Sequence, residues 1–154
     1  MDKELREEFW QSFEKSPFCM VRLENAGGHA EPMTAQLDRD AHHEFWFFTS
    51  RDNRIAAGGK AMVQVVTKGH DVFGCLLGTL VEETDKSIWD KQWSRQAEAW
   101  FPEGRSDPKV IMLRFDIESA EVWTADASIV GKFKLLTGKE IDPEEAGEHA
   151  VGLV

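Results

Sequence analysis

Hydrophobic residues change their period along this chain, and each change marks an element. Leu5, Phe9 and Phe13 recur every four residues with Trp10 beside them, while charged residues fill the other faces from Asp2 to Lys15. That spacing predicts an amphipathic helix ended by Pro17 and packed as a lid over one end of a sheet. From Phe18 the pattern becomes β-rich. Phe18 to Leu23 predicts a first strand, Asn25 to Gly28 a turn, and His29 to Leu37 a returning strand in which Pro32 must sit at an edge or bulge. After the polar turn Asp38 to His43, Glu44 to Thr49 predicts a third strand. Asn53 to Lys60 reads as a short helix weakened by Gly58 and Gly59.

Ala61 to Lys68, with Met62, Val63, Val65 and Val66, predicts a fourth strand, and Val72 to Glu83 a long fifth one. Gly74 and Gly78 inside that run suggest bulges, bends or backbone left open to a ligand. Thr84 or Asp85 can cap a helix from Lys86 to Trp100, whose Trp89, Trp93 and Trp100 align with Ile88 and Ala97 in one apolar stripe, a core face by pattern. Pro102 to Pro108 is a loop, Val110 to Ile117 a sixth strand, and Ala120 to Trp123 its continuation after a kink. The tail from Ala125 carries one weak helical segment through Phe133 and Leu136. Six short strands in hairpin-like succession with peripheral helices predict an α+β fold, a small antiparallel barrel rather than a doubly wound parallel sheet.

Composition narrows the function classes. A chain of 154 residues suits one domain, since a domain of this size buries roughly 70% of its unfolded surface. The core is expected over residues 5–123, with 125–154 as an extension. A formal charge of −10 argues against general attraction to nucleic acid or an anionic membrane. Cys19 and Cys75 lie in apolar strand-like runs without C-x-x-C spacing, which predicts buried, reduced thiols and a cytoplasmic setting. The charged start MDKELREEFW lacks the apolar stretch of a secretory signal, and no run of about 18 apolar residues occurs.

The richest candidate chemistry lies in Glu44 to Arg54, EFWFFTSRDNR, where an aromatic strand gives way to hydroxyls and arginines. If a helix starts at Asp52 or Asn53, its free N–H groups, the hydroxyls of Thr49 and Ser50, and the guanidiniums of Arg51 and Arg54 can together hold a phosphate. The same residues also suit a solvated turn in which Ser50 or Asp52 merely caps. His29, His42, His43 and His70 fall in predicted turns without the i, i+4 spacing of a helical metal pair, so they are expected at the surface and no metal site is predicted. No G-x-S-x-G, G-x-x-x-x-G-K or G-x-G-x-x-G pattern occurs.

Five short motifs follow one another in a distinctive order. They are Glu31-Pro32-Met33, Trp46-Phe47-Phe48-Thr49-Ser50, Gly78-Thr79-Leu80-Val81, Trp100-Phe101-Pro102 and Ala120-Glu121-Val122-Trp123. In this order the chain resembles the pyridoxamine 5′-phosphate oxidase-like flavin-binding split barrels, and most of all their general stress protein branch, over Leu5 to Trp123. The resemblance implies a six-stranded antiparallel split β-barrel that forms a homodimer, with FMN in each of two clefts at the interface and FAD, or no cofactor, as alternatives. It implies that backbone groups of Met33 and Thr34 run along the isoalloxazine ring. Phe48, Thr49, Ser50 and Arg54 would then hold the ring edge and the phosphate, and Trp123 would approach from the partner subunit.

The chain also departs from the family pattern. Glu31 stands where an arginine is usual before Pro-Met, Gln36 where oxidases carry a lysine, and Asn53-Arg54-Ile55 replaces a serine-any-lysine triplet. Arg51 and Arg54 are left as the basic groups of the turn. Trp123 is followed by TADASIVGKFK rather than the arginine, histidine and second arginine that grip substrate phosphate in true pyridoxamine phosphate oxidases. Vitamin B6 oxidation is therefore not expected. The leading expectation is a flavin-binding protein, an oxidoreductase of unassigned substrate; the alternative is a non-enzymatic binding or sensing module whose cleft holds haem, a deazaflavin or nothing. Lys132 and Lys134 in the tail offer either a reach across a dimer to a phosphate or a solvated basic face.

Overall fold

A computed structural model describes residues 1–125 and 148–154. Helix α1 (Lys3–Lys15) opens the chain, with the Asp2 carboxylate accepting from the Leu5 N–H at 2.9 Å as its N-cap. Its apolar stripe does what the spacing predicts: Leu5, Phe9 and Phe13 are all buried in the core. Phe13 meets Phe45 edge-on at 5.5 Å, and truncating a ring so enclosed costs about 3–5 kcal/mol.

The strands are β1 (Phe18–Leu23), β2 (Glu31–Thr34), β3 (Glu44–Ser50), β4 (Gly59–Val66), β5 (Val72–Glu82), β6 (Val110–Thr124) and β7 (His149–Gly152). All pair antiparallel in the order β2-β1-β4-β5-β6-β3, with β7 added along β6. The two ends of this sheet, β2 and β3, are linked at an isolated bridge just past β2, where Gln36 and Trp46 exchange N–H to O bonds of 2.8 and 3.1 Å. The result is a six-stranded barrel split between β2 and β3, as expected, with β7 as a seventh strand that the polar tail did not announce. The Phe133 and Leu136 segment and Lys132 and Lys134 lie outside the described residues.

Four boundaries differ from the pattern reading, each for a local reason. The returning strand is only Glu31–Thr34, because after the Ala35 N–H bonds Pro17 O at 2.7 Å the chain swings across to β3 at Gln36. Residues 53–60 form no helix. Successive i to i+3 bonds (Asn53 to Ser50, Ala56 to Asn53, Gly58 to Ile55) make a string of tight turns. Gly58 ends it at φ +68°, where a Cβ would lie 2.7 Å from Leu80 O.

The predicted helix 86–100 is two, α2 (Lys86–Gln92) and α3 (Arg95–Trp100), because Ser94 caps a new start by accepting from Ala97 N at 3.2 Å. That break turns the tryptophan stripe, so Trp100 is 74% exposed instead of core. Finally, β6 runs unbroken from Val110 to Thr124, and the predicted kink is a bulge opposite Leu77 and Gly78. Gly78 is required there, since a Cβ would meet Asp116 O at 2.1 Å. Gly74 instead admits the ring of Phe9.

Candidate functional site

The end of β3 and the short edge strand β2 face each other across the split. Phe45, Trp46 and Phe47 are buried, anchoring β3 between the core and its partner β6. The strand therefore reaches Phe48, Thr49 and Ser50 in fixed register, Phe48 and Ser50 partly exposed and Thr49 nearly buried. A cleft of about 280 Å³ lies between these residues, Pro32, Met33 and Thr34 of β2, Gln36, and the α3 side chains Gln96, Ala97 and Trp100. Phe48 packs edge-on against Trp89 and Trp93 at 5.3 and 5.0 Å, which seats α2 and α3 over the opening. The walls are apolar at Met33, Phe48 and Trp100 and polar at Thr34, Gln36, Thr49, Ser50 and Gln96. Such a wall suits a flat ring with one apolar and one hydrogen-bonding edge.

The turn after Ser50 carries the predicted arginines, but each is engaged within the chain. Arg51 donates to Pro108 O at 3.0 Å and to the Glu82 carboxylate at 2.9 Å. Arg54 donates to His29 O at 3.0 Å and pairs with Glu31 at 2.6 Å. The Ser50 hydroxyl donates to Asp52 at 2.5 Å. No helix begins at Asp52 or Asn53, so the helix N-terminus expected to assist a phosphate is absent. Ile55 is 1% exposed and belongs to the core.

Trp123 lies on the wall of a second, larger cavity of about 740 Å³ on the outer face of the sheet. The two cavities share Pro32, Met33, Thr34 and Trp100. Trp123 stacks on His149 of β7, whose Nε2 lies 2.7 Å from the Glu121 carboxylate. Cys75, also on that wall, has its thiol pushed up by burial and by the nearby Glu121 carboxylate. Cys19 is buried as expected, its thiol raised by burial, whereas Cys75 is only partly buried because it faces the outer cavity; both cysteines are free. His29, His42 and His70 are exposed as expected, while His43 is partly buried with Nδ1 2.5 Å from Val154 O.

One chain thus brings Met33, Thr34, Phe48, Thr49 and Ser50 onto one cleft and sets Trp123 on an adjoining one. Arg51 and Arg54 flank the cleft without lining it. Gln96 and Trp100 join the cleft unforeseen, their one signal in the sequence being the Ser94 break inside a tryptophan stripe, and no local motif distinguishes His149.

Beneath the cleft the carboxylate of Glu83, only 6% exposed, accepts from Arg114 at 3.0 Å and from the Trp46 indole at 3.4 Å. Hydrogen bonds to Asp116 and to Glu83 hold the Arg114 guanidinium firmly protonated. This network ties β3, β5 and β6 together below the Phe48 platform.

No curated protein matches the chain. Among solved structures, it is similar to a general stress protein 26 from Jannaschia sp. CCS1, with 29% identity and a TM-score of 0.80 over 99% of this chain and 100% of that one. It is also similar to the general stress FMN/FAD binding protein of Xanthomonas citri, with 37% identity and a TM-score of 0.76 over 83% of this chain and 94% of that one. A protein related to general stress protein 26 from Clostridium acetobutylicum shares the fold at 22% identity and a TM-score of 0.67, over 80% of this chain and 91% of that one. Residues 4–142 match the family described as pyridoxamine 5′-phosphate oxidase like, and the chain belongs to that family.

Proposed function

We propose that this chain is a flavin-binding protein of the general stress type that acts as a flavin-dependent oxidoreductase. The observation that carries the reading is the adjacency of Met33 and Thr34 on edge strand β2 to Phe48, Thr49 and Ser50 at the end of β3, on one cleft. The name of the Xanthomonas citri relative, an FMN/FAD binding protein, supports the choice of ligand.

The residues present fit the ring of a flavin. Met33, Phe48 and Trp100 offer apolar contact to its hydrocarbon side, while Thr34, Gln36, Thr49 and Gln96 offer hydrogen bonds to its polar edge. β2 ends the sheet, so among the described residues the backbone groups on its outer edge have no strand partner and are open to a ligand. When bound, the flavin supplies the redox chemistry. The chain orients the ring and limits water through the Phe48, Trp89 and Trp93 cluster.

The reading includes a homodimer. Phe18, Met20, Val66, Leu77 and Trp123 are exposed apolar side chains on the outer face of β1, β4, β5 and β6, continuous with the larger cavity. A second copy covering this face would bring its own Trp123 toward the flavin, consistent with a site at an interface.

The test is the visible absorbance of freshly purified protein, followed by FMN titration monitored by flavin fluorescence and by sedimentation for the dimer. Flavin absorbance or saturable quenching is expected. A dimer with neither would refute the reading. Reduction by nicotinamide donors and reoxidation faster than free flavin separate an oxidoreductase from a binding module.

A further inference from the structure

We infer that Glu31 is a built-in counter-anion for Arg54, so that the cleft selects the flavin ring and discriminates little between riboflavin and its phosphate ester, FMN. The inference rests on the flavin-binding reading and concerns how this chain's own residues meet the ligand's tail.

Ser50 and the turn after it present two guanidiniums and a hydroxyl, and each already has a carboxylate partner within the chain. Arg54 is paired to Glu31 and His29 O, Arg51 to Glu82 and Pro108 O, and the Ser50 hydroxyl to Asp52. Among the described residues these groups are partnered by the carboxylates of Glu31, Glu82 and Asp52. Glu31 is the decisive one: its side chain is 23% exposed, less than the 48% of Arg54, and it belongs to β2, the strand that lines the cleft. A phosphate monoester carries about −1.5 to −2 charges at pH 7. To reach Arg54 it must either displace Glu31 or accept a carboxylate next to it, and each course cancels most of what the guanidinium would contribute. Ile55 offers no replacement cation: it is a hydrocarbon side chain buried in the core. The ring contacts at Met33, Phe48 and Thr49 are independent of this charge arrangement and treat the two flavins alike.

The experiment is a paired titration of riboflavin and FMN, by flavin fluorescence at fixed ionic strength, into the full chain, Glu31→Gln and Glu31→Gln/Arg54→Gln. In the unsubstituted chain the two Kd values are expected within about tenfold of each other. Glu31→Gln keeps the shape but frees Arg54, so FMN should bind about tenfold tighter while riboflavin changes less than about twofold. The double variant should lose that gain. Circular dichroism and urea unfolding confirm that each variant is folded. FMN bound more than about tenfold tighter than riboflavin by the unsubstituted chain, or no selective gain in Glu31→Gln, overturns the inference while leaving flavin binding intact. Failure of both flavins to bind overturns the flavin reading and the inference together.

Discussion

The indole of Trp123 and the imidazole of His149 lie stacked, with ring centroids 5.1 Å apart and 10° between planes. The two residues are direct cross-strand partners between β6 and β7, and Glu121 fixes the imidazole from two positions earlier on β6. The stack joins β7 to a wall of the larger cavity that adjoins the proposed flavin cleft. Trp123→Ala should cost about 1 kcal/mol from the lost aromatic pair. The amides of His149–Gly152 should then exchange faster in hydrogen-exchange mass spectrometry while those of β3 keep their protection. Unchanged protection in β7 would mean that its backbone ladder alone seats it.

Arg114 is the counterion of the nearly buried Glu83, and it also meets Asp116 and Glu44. Arg114→Met leaves Glu83 without its cation. Loss of a partner from a buried pair costs about 3–5 kcal/mol, and partial exposure of Arg114 should bring the loss to about 2–3 kcal/mol. Adding Glu83→Gln should restore part of it. A urea-unfolding double-mutant cycle reads both values, and strict additivity would show that the two side chains do not interact.

Gly78→Ala tests the bulge on which β5 and β6 turn. The new methyl would meet the Asp116 carbonyl, a backbone group that cannot rotate away. A loss of at least about 2 kcal/mol is expected in urea unfolding, against a few tenths for a glycine merely tolerated in a strand. A stability gain would place the bulge elsewhere.

The Asp71 carboxyl is held below its ordinary value, first by the Thr67 hydroxyl donating at 2.6 Å. A depressed folded-state value means that the stabilisation is complete above the unfolded value, about 3.9, and is lost as pH falls through the lower folded value. Asp71→Asn should therefore cost about 1 kcal/mol or less at pH 7, with allowance for solvent screening, and nothing once both forms are neutral in more acid solution. Urea unfolding at pH 7 and in steps below pH 4 measures the difference. A cost that persists unchanged into acid would assign it to shape rather than charge.

Much of this architecture was legible in the pattern of the chain. The four-residue spacing of Leu5, Phe9 and Phe13, the edge position of Pro32 and the bulge glycine Gly78 follow from local rules that tertiary packing here reinforces. The single-sequence reading failed where one residue redirects the backbone. Ser94 restarts a helix and expels Trp100 from the core, and Gly58 closes a run of turns that was expected to be helical. The cleft residues of β3 were visible because Phe48, Thr49 and Ser50 are contiguous, and the Gln36–Trp46 bridge brings them across the split from Met33 and Thr34. The occupation of Arg54 by Glu31 was not, because residues 31 and 54 meet only once β2 and the turn after β3 are folded against each other. His149 was hidden for the same reason, its partners Glu121 and Trp123 being supplied by a distant strand.

The central claim is that the cleft between β2 and the end of β3 takes a flavin ring. A titration of isotope-labelled protein with riboflavin, followed by amide and methyl NMR shifts, tests it most directly. Saturable shifts are expected at Met33, Thr34, Phe48, Thr49 and Ser50, extending to Trp100. Shifts confined instead to the separate cavity beside α1, around Trp10, Leu37 and Arg39, would contradict it.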